Sequence, residues 1–208
     1  MSKLVVYMSM SLDGFIAAAD DGPARGLGVG GEPLHAWLTE GNLSPGSFRP
    51  EGGVNAEVFD EMMATGAVIV GRHAFDWAGE WGGDHHDGVP IFVLTHSQPE
   101  PATSGHVNYI SDLESAVAQA KAAAGERNVM MHGASSVQAL LQAGLVDELM
   151  IALVPILLGR GRRLFDNLPA ETRPLQLIRS IEGHGVLHVR YRVADRDEPN
   201  DTEPDSKR

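Results

Sequence analysis

Two kinds of hydrophobic pattern alternate along the chain. Five segments are apolar at nearly every position, which is typical of strands buried on both faces of a sheet: residues 4–8, Ala67–Gly71, residues 90–95, Val107–Ile110 and residues 129–131. Between them lie segments with the pattern of helices, at residues 33–38, 55–63, 73–77, 112–124 and 134–145. Asn55 and Asp112 are predicted to cap the second and the fourth of these helices.

The C-terminal part has a different pattern. A nearly continuous apolar run covers residues 149–156, and Pro155 near its end predicts an edge strand or a bulge. Residues 175–181 and 186–193 alternate between apolar and polar side chains, as in a partly exposed antiparallel hairpin. Strands that alternate with helices and end in a hairpin predict an α/β fold with a mostly parallel central sheet. We expect one domain over residues 1–194.

Composition limits the possible functions. The formal net charge is −12, which argues against a nucleic-acid partner because such binding needs a basic face. The absence of cysteine excludes disulfides and metal sites built on sulfur. No apolar run has the length of a membrane span, so we expect a cytoplasmic protein without a membrane partner. Residues 195–208 are acidic and almost free of apolar side chains, which predicts a disordered tail.

One stretch in the second half combines a strand, a glycine turn and a helix. Residues 129–131 form the apolar run, Gly133 makes the turn, and helical spacing continues through Val137, Leu140 and Leu141. The start of such a helix presents free N–H groups and a positive dipole end, for which phosphate is the natural ligand. The alternative is that Gly133 only allows the strand and the helix to pack closely.

The order of four motifs resembles the dihydrofolate reductase fold, a three-layer α/β/α architecture. The motifs are residues 11–17 (SLDGFIA), 68–73 (VIVGRH), 90–95 (PIFVLT) and 132–136 (HGASS). Residues 145–149 (LVDEL), Pro155 and residues 158–161 (LGRG) are similar to one branch of that fold. This branch is the reductase domain of the bifunctional deaminase-reductase of riboflavin biosynthesis and its stand-alone relatives. The resemblance covers roughly residues 3–193.

The resemblance implies that the chain binds NADPH. In this family the pyrophosphate lies against the turns after the second strand and before the helix at Gly133, and an arginine holds the 2′-phosphate together with hydroxyls after the third strand. Carried over, the cofactor-binding residues are Ser9, Ile16, Ala17, Gly71, Arg72, His73, Leu94, Thr95, His96, Ser97, His132, Gly133, Ala134, Ser135 and Ser136. The alternatives are a surface salt bridge for Arg72 and loop capping for Thr95 and Ser97.

The chain departs from the family pattern in two places. A run of glycines is usual at the Gly133 turn, whereas His132 precedes this glycine and Ala134 follows it, so Ala134 requires a negative φ. His132 either shapes the pocket or is a hydrogen-bonded residue at a strand end. Folate reductases also carry an acid in the first helix, but residues 33–38 (PLHAWL) contain none. We therefore expect little reduction of dihydrofolate.

Four further residues or pairs are candidates for chemistry. Asp13 is the candidate catalytic residue, either as a proton source through water or, as the alternative, as a turn-capping aspartate. Trp37 and Trp81 are candidates for the substrate pocket, since a flat heterocycle can stack on an indole. His85-His86 is predicted to lie in a solvated loop and not to bind a metal.

Together these observations predict an NADPH-dependent oxidoreductase acting on a small heterocyclic substrate, with hydride transfer to a C=N or C=O carbon. The resemblance favours a pyrimidine ribosylamine like that of the riboflavin pathway. A dihydrofolate (pterin) reductase is the second possibility, and a non-catalytic NADPH-binding protein of the same fold is the third. Because the related reductase domains pair as dimers, a homodimer through the C-terminal strands is expected.

Overall fold

The computed structural model describes residues 1–39, 48–97 and 105–194. Within these ranges the strands are β1 Leu4–Ser11, β2 Phe15–Ala18, β3 Ala67–Gly71, β4 Ile91–Leu94, β5 Val107–Ile110, β6 Val129–His132, β7 Glu148–Val154, β8 Gly161–Arg163, β9 Leu175–Gly183 and β10 Val186–Val193. The helices are α1 Ala36–Thr39, α2 Gly53–Met63, α3 Arg72–Trp77, α4 Leu113–Ala124 and α5 Ala134–Gln142. Short 3₁₀ segments cover Glu32–His35 and Gly79–Gly83. The predicted tail, residues 195–208, lies outside the described residues.

Eight of these strands form one mixed sheet in the order β5-β4-β3-β6-β1-β7-β10-β9. The six strands from β5 to β7 are parallel, and the β9–β10 hairpin adds two antiparallel strands at one edge. This arrangement confirms the predicted dihydrofolate reductase-like fold class. The remaining two strands, β2 and β8, pair with each other in a small antiparallel sheet beside the carboxyl end of β1.

Helices cover both faces of the large sheet. On one face α4 and α5 pack against β1, β3 and β6 through side chains such as Val117, Leu140 and Met131. On the other face α1, α2 and α3 pack through side chains such as Leu38 and Phe75. The continuous apolar runs are therefore explained, since a parallel strand covered on both faces has no position that faces solvent.

The structure corrects the predicted cap at Asn55. This residue is the third residue of α2, is buried, and does not cap the helix. Its amide donates to the backbone oxygens of Trp37 and His184, and its Oδ1 accepts from His188 Nε2 at 3.0 Å. The cap prediction was wrong because an asparagine that joins three distant segments has the same local sequence signature as a cap.

The interpretation of Pro155 was also wrong. Strand β7 ends at Val154 and lies in the interior of the sheet between β1 and β10, so it is not an edge strand. Pro155 follows the last residue of the strand, where the missing N–H removes no ladder hydrogen bond. None of the helices in the described ranges is long and apolar enough to cross a membrane.

Candidate functional site

The carboxyl ends of four neighbouring parallel strands meet at one edge of the sheet. Gly71 at the end of β3 pairs with Leu94 of β4, and Val70 pairs with His132 of β6. His132 in turn donates from Nδ1 to the backbone oxygen of Tyr7 in β1, at 3.2 Å. The structure thus brings together the predicted cofactor residues that follow β3, β4 and β6, although they are far apart in sequence. Ligands of open α/β sheets bind at this edge.

The turns after β3 and β6 touch each other. Gly133 has φ = +94°, a conformation that glycine adopts without strain, and a Cβ built on it would lie 3.3 Å from Ala74 Cβ. A Cβ on Gly71 would overlap with Ser136 Oγ. Ala134 is the first residue of α5 and its φ is not positive, as its side chain requires. Both glycines therefore allow close approach of the two turns.

Helix α5 starts at this junction. Its first i→i−4 bond runs from the N–H of Val137 to the oxygen of Gly133, at 3.0 Å. The N–H groups of Ala134, Ser135 and Ser136 therefore precede the hydrogen-bonded part of the helix and have no acceptor within it. With the positive end of the helix dipole, they form an arrangement that can receive an anion.

Arg72 follows Gly71 directly and has two described contacts. Its Nε donates to Asp76 Oδ1 at 2.6 Å, one turn further along α3, and its guanidinium lies over the ring of Tyr109, 5.6 Å from the centroid. The salt bridge that was the alternative for Arg72 is thus present. Since partly exposed pairs of this kind contribute under about 1 kcal/mol, the pair does not prevent Arg72 from also contacting a phosphate.

The residues after β4 cap their own loop. Thr95 Oγ1 donates to the backbone oxygen of Ser97 at 2.9 Å and accepts from the Ser97 N–H at 3.2 Å. His96 between them is exposed. Loop capping, which was the alternative for the two hydroxyls, is therefore present, while the loop still lies beside Gly71 at the carboxyl edge.

His132 is a partly buried, neutral imidazole in the centre of the edge. Burial is the main cause that lowers its pKa to about 4, against the hydrogen bond to Tyr7, which raises it. Its Nε2 lies 2.8 Å from Met130 Sδ. His132 is therefore a hydrogen-bonded histidine at a strand end, and in the free protein it adds no positive charge to the site.

Trp81 forms an aromatic wall next to His132. Its ring lies 6.2 Å from that of His132 and 5.8 Å from that of Phe75. The backbone of Glu80 and Trp81 is left-handed, with φ = 56° and 47°, which costs a non-glycine residue about 1–3 kcal/mol. Such strain is retained where the surrounding structure demands one orientation of a side chain, and here it directs the indole towards the carboxyl edge.

His85-His86 lies in a loop, as predicted, but the two side chains are not fully solvated. Both residues are partly buried, and the His85 ring stacks on His132 at 5.4 Å and packs edge-on against Trp81 at 4.5 Å. A polar loop sequence gave no sign of this packing, because the partners come from β6 and from the turn at Trp81. Among the described residues no group of three or more side chains could hold a metal ion.

Trp37 is more deeply buried in the protein than Trp81. It is buried, its Nε1 donates to Ser9 Oγ at 2.9 Å, and its ring packs edge-on against His188. Ile16 and Ala17 of β2 are buried beside β1. Ser9 and Trp37 are therefore buried and joined by a hydrogen bond, whereas Trp81 is partly exposed.

Asp13 anchors a distant segment. Its carboxylate accepts from Ser11 Oγ at 2.6 Å and from the N–H groups of Leu158 and Gly159 at 3.1 and 2.7 Å. The hydrogen bonds from Ser11, Gly159 and Leu158, in that order of size, lower the pKa of Asp13 to about 2. The group is thus ionised at neutral pH and fixes the chain between β7 and β8.

Sequence reasoning also missed a contact between Arg162 of β8 and two other elements. Its guanidinium makes a two-point ion pair with Asp21, at 2.7 and 3.2 Å, and lies 5.0 Å above the ring of Trp77 in α3. The ring of His73 stacks on the same indole at 5.9 Å. The loop after β2 is therefore tied to the helix that follows Gly71.

Comparisons with known proteins agree with this architecture. The chain is 29% identical over 182 residues to the Uncharacterized protein YwjB of Bacillus subtilis (strain 168), covering 82% of this chain and 87% of that protein. A putative riboflavin biosynthesis protein from Shewanella sp. PV-4 has a similar structure, with a TM-score of 0.68 at 22% identity over 93% of this chain and 99% of the other. At these identities the structural likeness shows the fold.

Two further solved structures have the same fold. A pyrimidine reductase-like protein from Corynebacterium diphtheriae matches with a TM-score of 0.63 at 13% identity, over 93% of this chain and 92% of the other. Acinetobacter baumannii RibD matches with a TM-score of 0.59 at 17% identity, over 93% of this chain and 58% of that longer protein. The sequence profile of the RibD C-terminal domain matches residues 2–188, nearly the whole described chain. The chain belongs to the RibD C-terminal domain family, a family of reductases.

Proposed function

We propose that this protein is an NADPH-dependent reductase of a small nitrogen heterocycle, with a pyrimidine ribosylamine as the favoured substrate class. The observation that carries the proposal is the junction of the β3 and β6 turns. There the start of α5 can receive an anion, and the aromatic wall of Trp81 and His132 stands directly beside it. Membership of a reductase family supports the same reaction class.

The residues at the junction fit a dinucleotide. The N–H groups of Ala134, Ser135 and Ser136 would hold the pyrophosphate, and the small residues Gly71 and Gly133 allow its close approach. Arg72, with Thr95, His96 and Ser97 in the neighbouring turn, would hold the 2′-phosphate. Ile16 and Ala17 lie in β2, which packs next to β1, and there they would limit the pocket. When bound, NADPH supplies the hydride.

The protein's own groups orient the reactants and exclude water. The ring of Trp81, held by its left-handed turn, offers a flat surface for a heterocycle, and neutral His132 forms the adjoining wall. Asp13 is ionised, so it orders a water at most and does not itself donate a proton at neutral pH. The proton that accompanies hydride transfer is therefore proposed to arrive through water.

The test is turnover. Purified protein is mixed with NADPH and a panel of pyrimidine and pterin heterocycles, with the ribosylamino pyrimidine of riboflavin biosynthesis included, and NADPH oxidation is followed by absorbance. Oxidation that depends on one panel member supports the proposal. Tight NADPH binding without turnover across the panel favours the non-catalytic alternative, and absence of NADPH binding overturns both.

A further inference from the structure

His85 and His86 form a hydrogen-bonded pair that is anchored at one end. Nε2 of His86 lies 3.2 Å from the backbone oxygen of Thr65 and 3.4 Å from its Oγ1. Nδ1 of His86 lies 2.7 Å from Nδ1 of His85. Thr65 is almost fully buried, and its hydroxyl donates to the oxygen of Met62 at 2.9 Å. Both oxygens of Thr65 are consequently available to His86 only as acceptors.

For a pair of neutral rings, this geometry determines where the protons lie. Because Thr65 only accepts, His86 must carry its proton on Nε2, and in the neutral ring its Nδ1 is then an acceptor. His85 must therefore donate from Nδ1 to His86. The Nε2 atom of a neutral His85 is left with a lone pair and no proton. The anchored pair thus selects for His85 the tautomer that exposes an acceptor.

The surroundings of His85 place this acceptor at the candidate site. Its ring stacks on His132, which directly precedes the Gly133 turn, and meets the indole of Trp81 edge-on. Within the described ranges no protein group makes a hydrogen bond to its Nε2. The atom is also not fully buried, so it reaches solvent. Burial, with His132 and His86 as further causes, lowers the pKa of His85 to about 3, which keeps the ring neutral.

We propose that Nε2 of His85 is a specificity-determining acceptor that receives an N–H of the heterocycle lying against Trp81, and that His86 and Thr65 are positioning residues that hold its tautomer. This inference rests on the proposed function and adds the substrate class: a heterocycle with an exocyclic amino group on the edge facing His85. A heterocycle whose edge presents only acceptors would set its lone pairs against that of Nε2 and bind poorly.

The tautomer is measured directly, without any ligand, by ¹⁵N NMR of histidine side chains in the whole protein. We expect the Nδ1–H form for His85 and the Nε2–H form for His86. His86→Phe removes the acceptor for His85 Nδ1 and should shift His85 towards the Nε2–H form, whereas His184→Phe on the exposed β9–β10 turn should not. A charged His85, or the Nε2–H form in the unaltered protein, overturns the inference.

Ligand recognition is tested with two probes of similar shape, 5,6-diaminouracil and 5,6-dimethyluracil, titrated into the NADPH-loaded protein. The unaltered protein should prefer the diamino compound by roughly five- to tenfold, the usual value of one hydrogen bond. His85→Phe keeps a ring against Trp81 and His132 but should lose this preference, while His184→Phe should keep it. Equal preference in the unaltered protein and in His85→Phe, or no preference in either, overturns the inference.

A failure of the proposed function can be distinguished from a failure of the proposed role of His85. If NADPH does not bind, the proposed function fails, and the probes are titrated into the unloaded protein, where the same loss of preference in His85→Phe is expected. If NADPH binds and is oxidised with a panel heterocycle but the two probes are not discriminated through His85, the proposed function stands and the role of His85 is refuted.

Discussion

Ser136 Oγ occupies the position that a side chain on Gly71 would need, since a Cβ built on Gly71 would overlap with it. The contact joins the end of β3 to the first turn of α5. Gly71 has φ = −76°, so its backbone tolerates any residue, and only the neighbouring hydroxyl demands glycine.

This contact predicts that Gly71→Ala destabilises the protein by about 1–3 kcal/mol through overpacking. Ser136→Ala removes the overlapping oxygen, so the double variant should recover most of the loss. The free energy of unfolding in urea is measured for both single variants and the double variant. Gly22→Ala, where no atom lies within 4 Å of the added Cβ, is the control and should change little. Additive effects of the two substitutions would contradict the contact.

Arg72→Ala is expected to weaken NADPH binding by roughly ten- to hundredfold, because a charge-assisted contact contributes about 1.5–3 kcal/mol. Under the proposed function the loss falls on NADPH and spares NADH, which lacks the 2′-phosphate. Both affinities are measured by fluorescence titration. Arg49→Ala, which breaks the surface pair with Asp60 (2.7 Å), is the matched control. Equal weakening of both cofactors would show that Arg72 does not contact that phosphate.

His188 predicts a dependence of stability on pH. It is buried and donates from Nε2 to Asn55, and burial, followed by the nearby Arg179, lowers its pKa from the usual 6.5 to about 4. Between these two values the unfolded chain binds more protons than the folded one, so stability falls as the pH decreases. Through this difference in pKa, His188 contributes about 3 kcal/mol to the free energy of unfolding. The contribution is fully present above pH 6.5 and is lost progressively down to about pH 4.

The measurement is urea unfolding at several pH values across this window. His188→Gln keeps a donor for Asn55 but does not titrate, so its stability should fall less steeply than that of the unaltered protein. His184→Gln on the exposed turn is the control. Parallel slopes for His188→Gln and the unaltered protein would refute the contribution of His188.

The assembly prediction concerns β9, whose side chains Leu177 and Ile178 are 55% and 43% exposed at the edge of the large sheet. A two-fold homodimer through the C-terminal strands would cover them. Light scattering at micromolar concentration should report a dimer, and Leu177→Glu should convert it to a monomer. Val29→Glu, a substitution of an exposed loop residue, should leave it a dimer. A monomeric unaltered protein would reject this assembly.

Dihydrofolate should be reduced poorly or not at all, although NADPH is expected to bind. A carboxylate can accept from the two adjacent N–H groups of a pterin, whereas Leu34 is fully buried and apolar, and burial lowers the pKa of His35 to about 4. A neutral imidazole cannot accept two hydrogen bonds side by side. Steady-state assays of NADPH oxidation with dihydrofolate test this expectation, and His35→Asp is the variant that restores an acid. Efficient reduction by the unaltered protein would favour the pterin alternative.

Local sequence patterns predicted most elements of the fold. Runs such as Ala67–Gly71 and Val107–Ile110 became strands with the predicted bounds, Asp112 caps α4 through the Ser115 N–H, and Gly133 precedes α5. These features depend on neighbours within a few residues, which is why periodicity and turn chemistry reveal them. Asn55 and Pro155 were misread because their roles depend on distant segments of the chain.

The sequence by itself therefore determined the fold class, the succession of helices and of the eight strands of the large sheet, and the glycine turns at the carboxyl edge. It did not predict β2 or β8, which pair with each other. Only the tertiary structure decided which side chains meet there: His85 on His132, Trp81 beside both, Ser136 against Gly71, and Asp13 holding Leu158 and Gly159. The physical reason is that such contacts join segments far apart in the chain. Their geometry follows from the packing of helices on a twisted sheet, which no local pattern of hydrophobic and polar residues encodes.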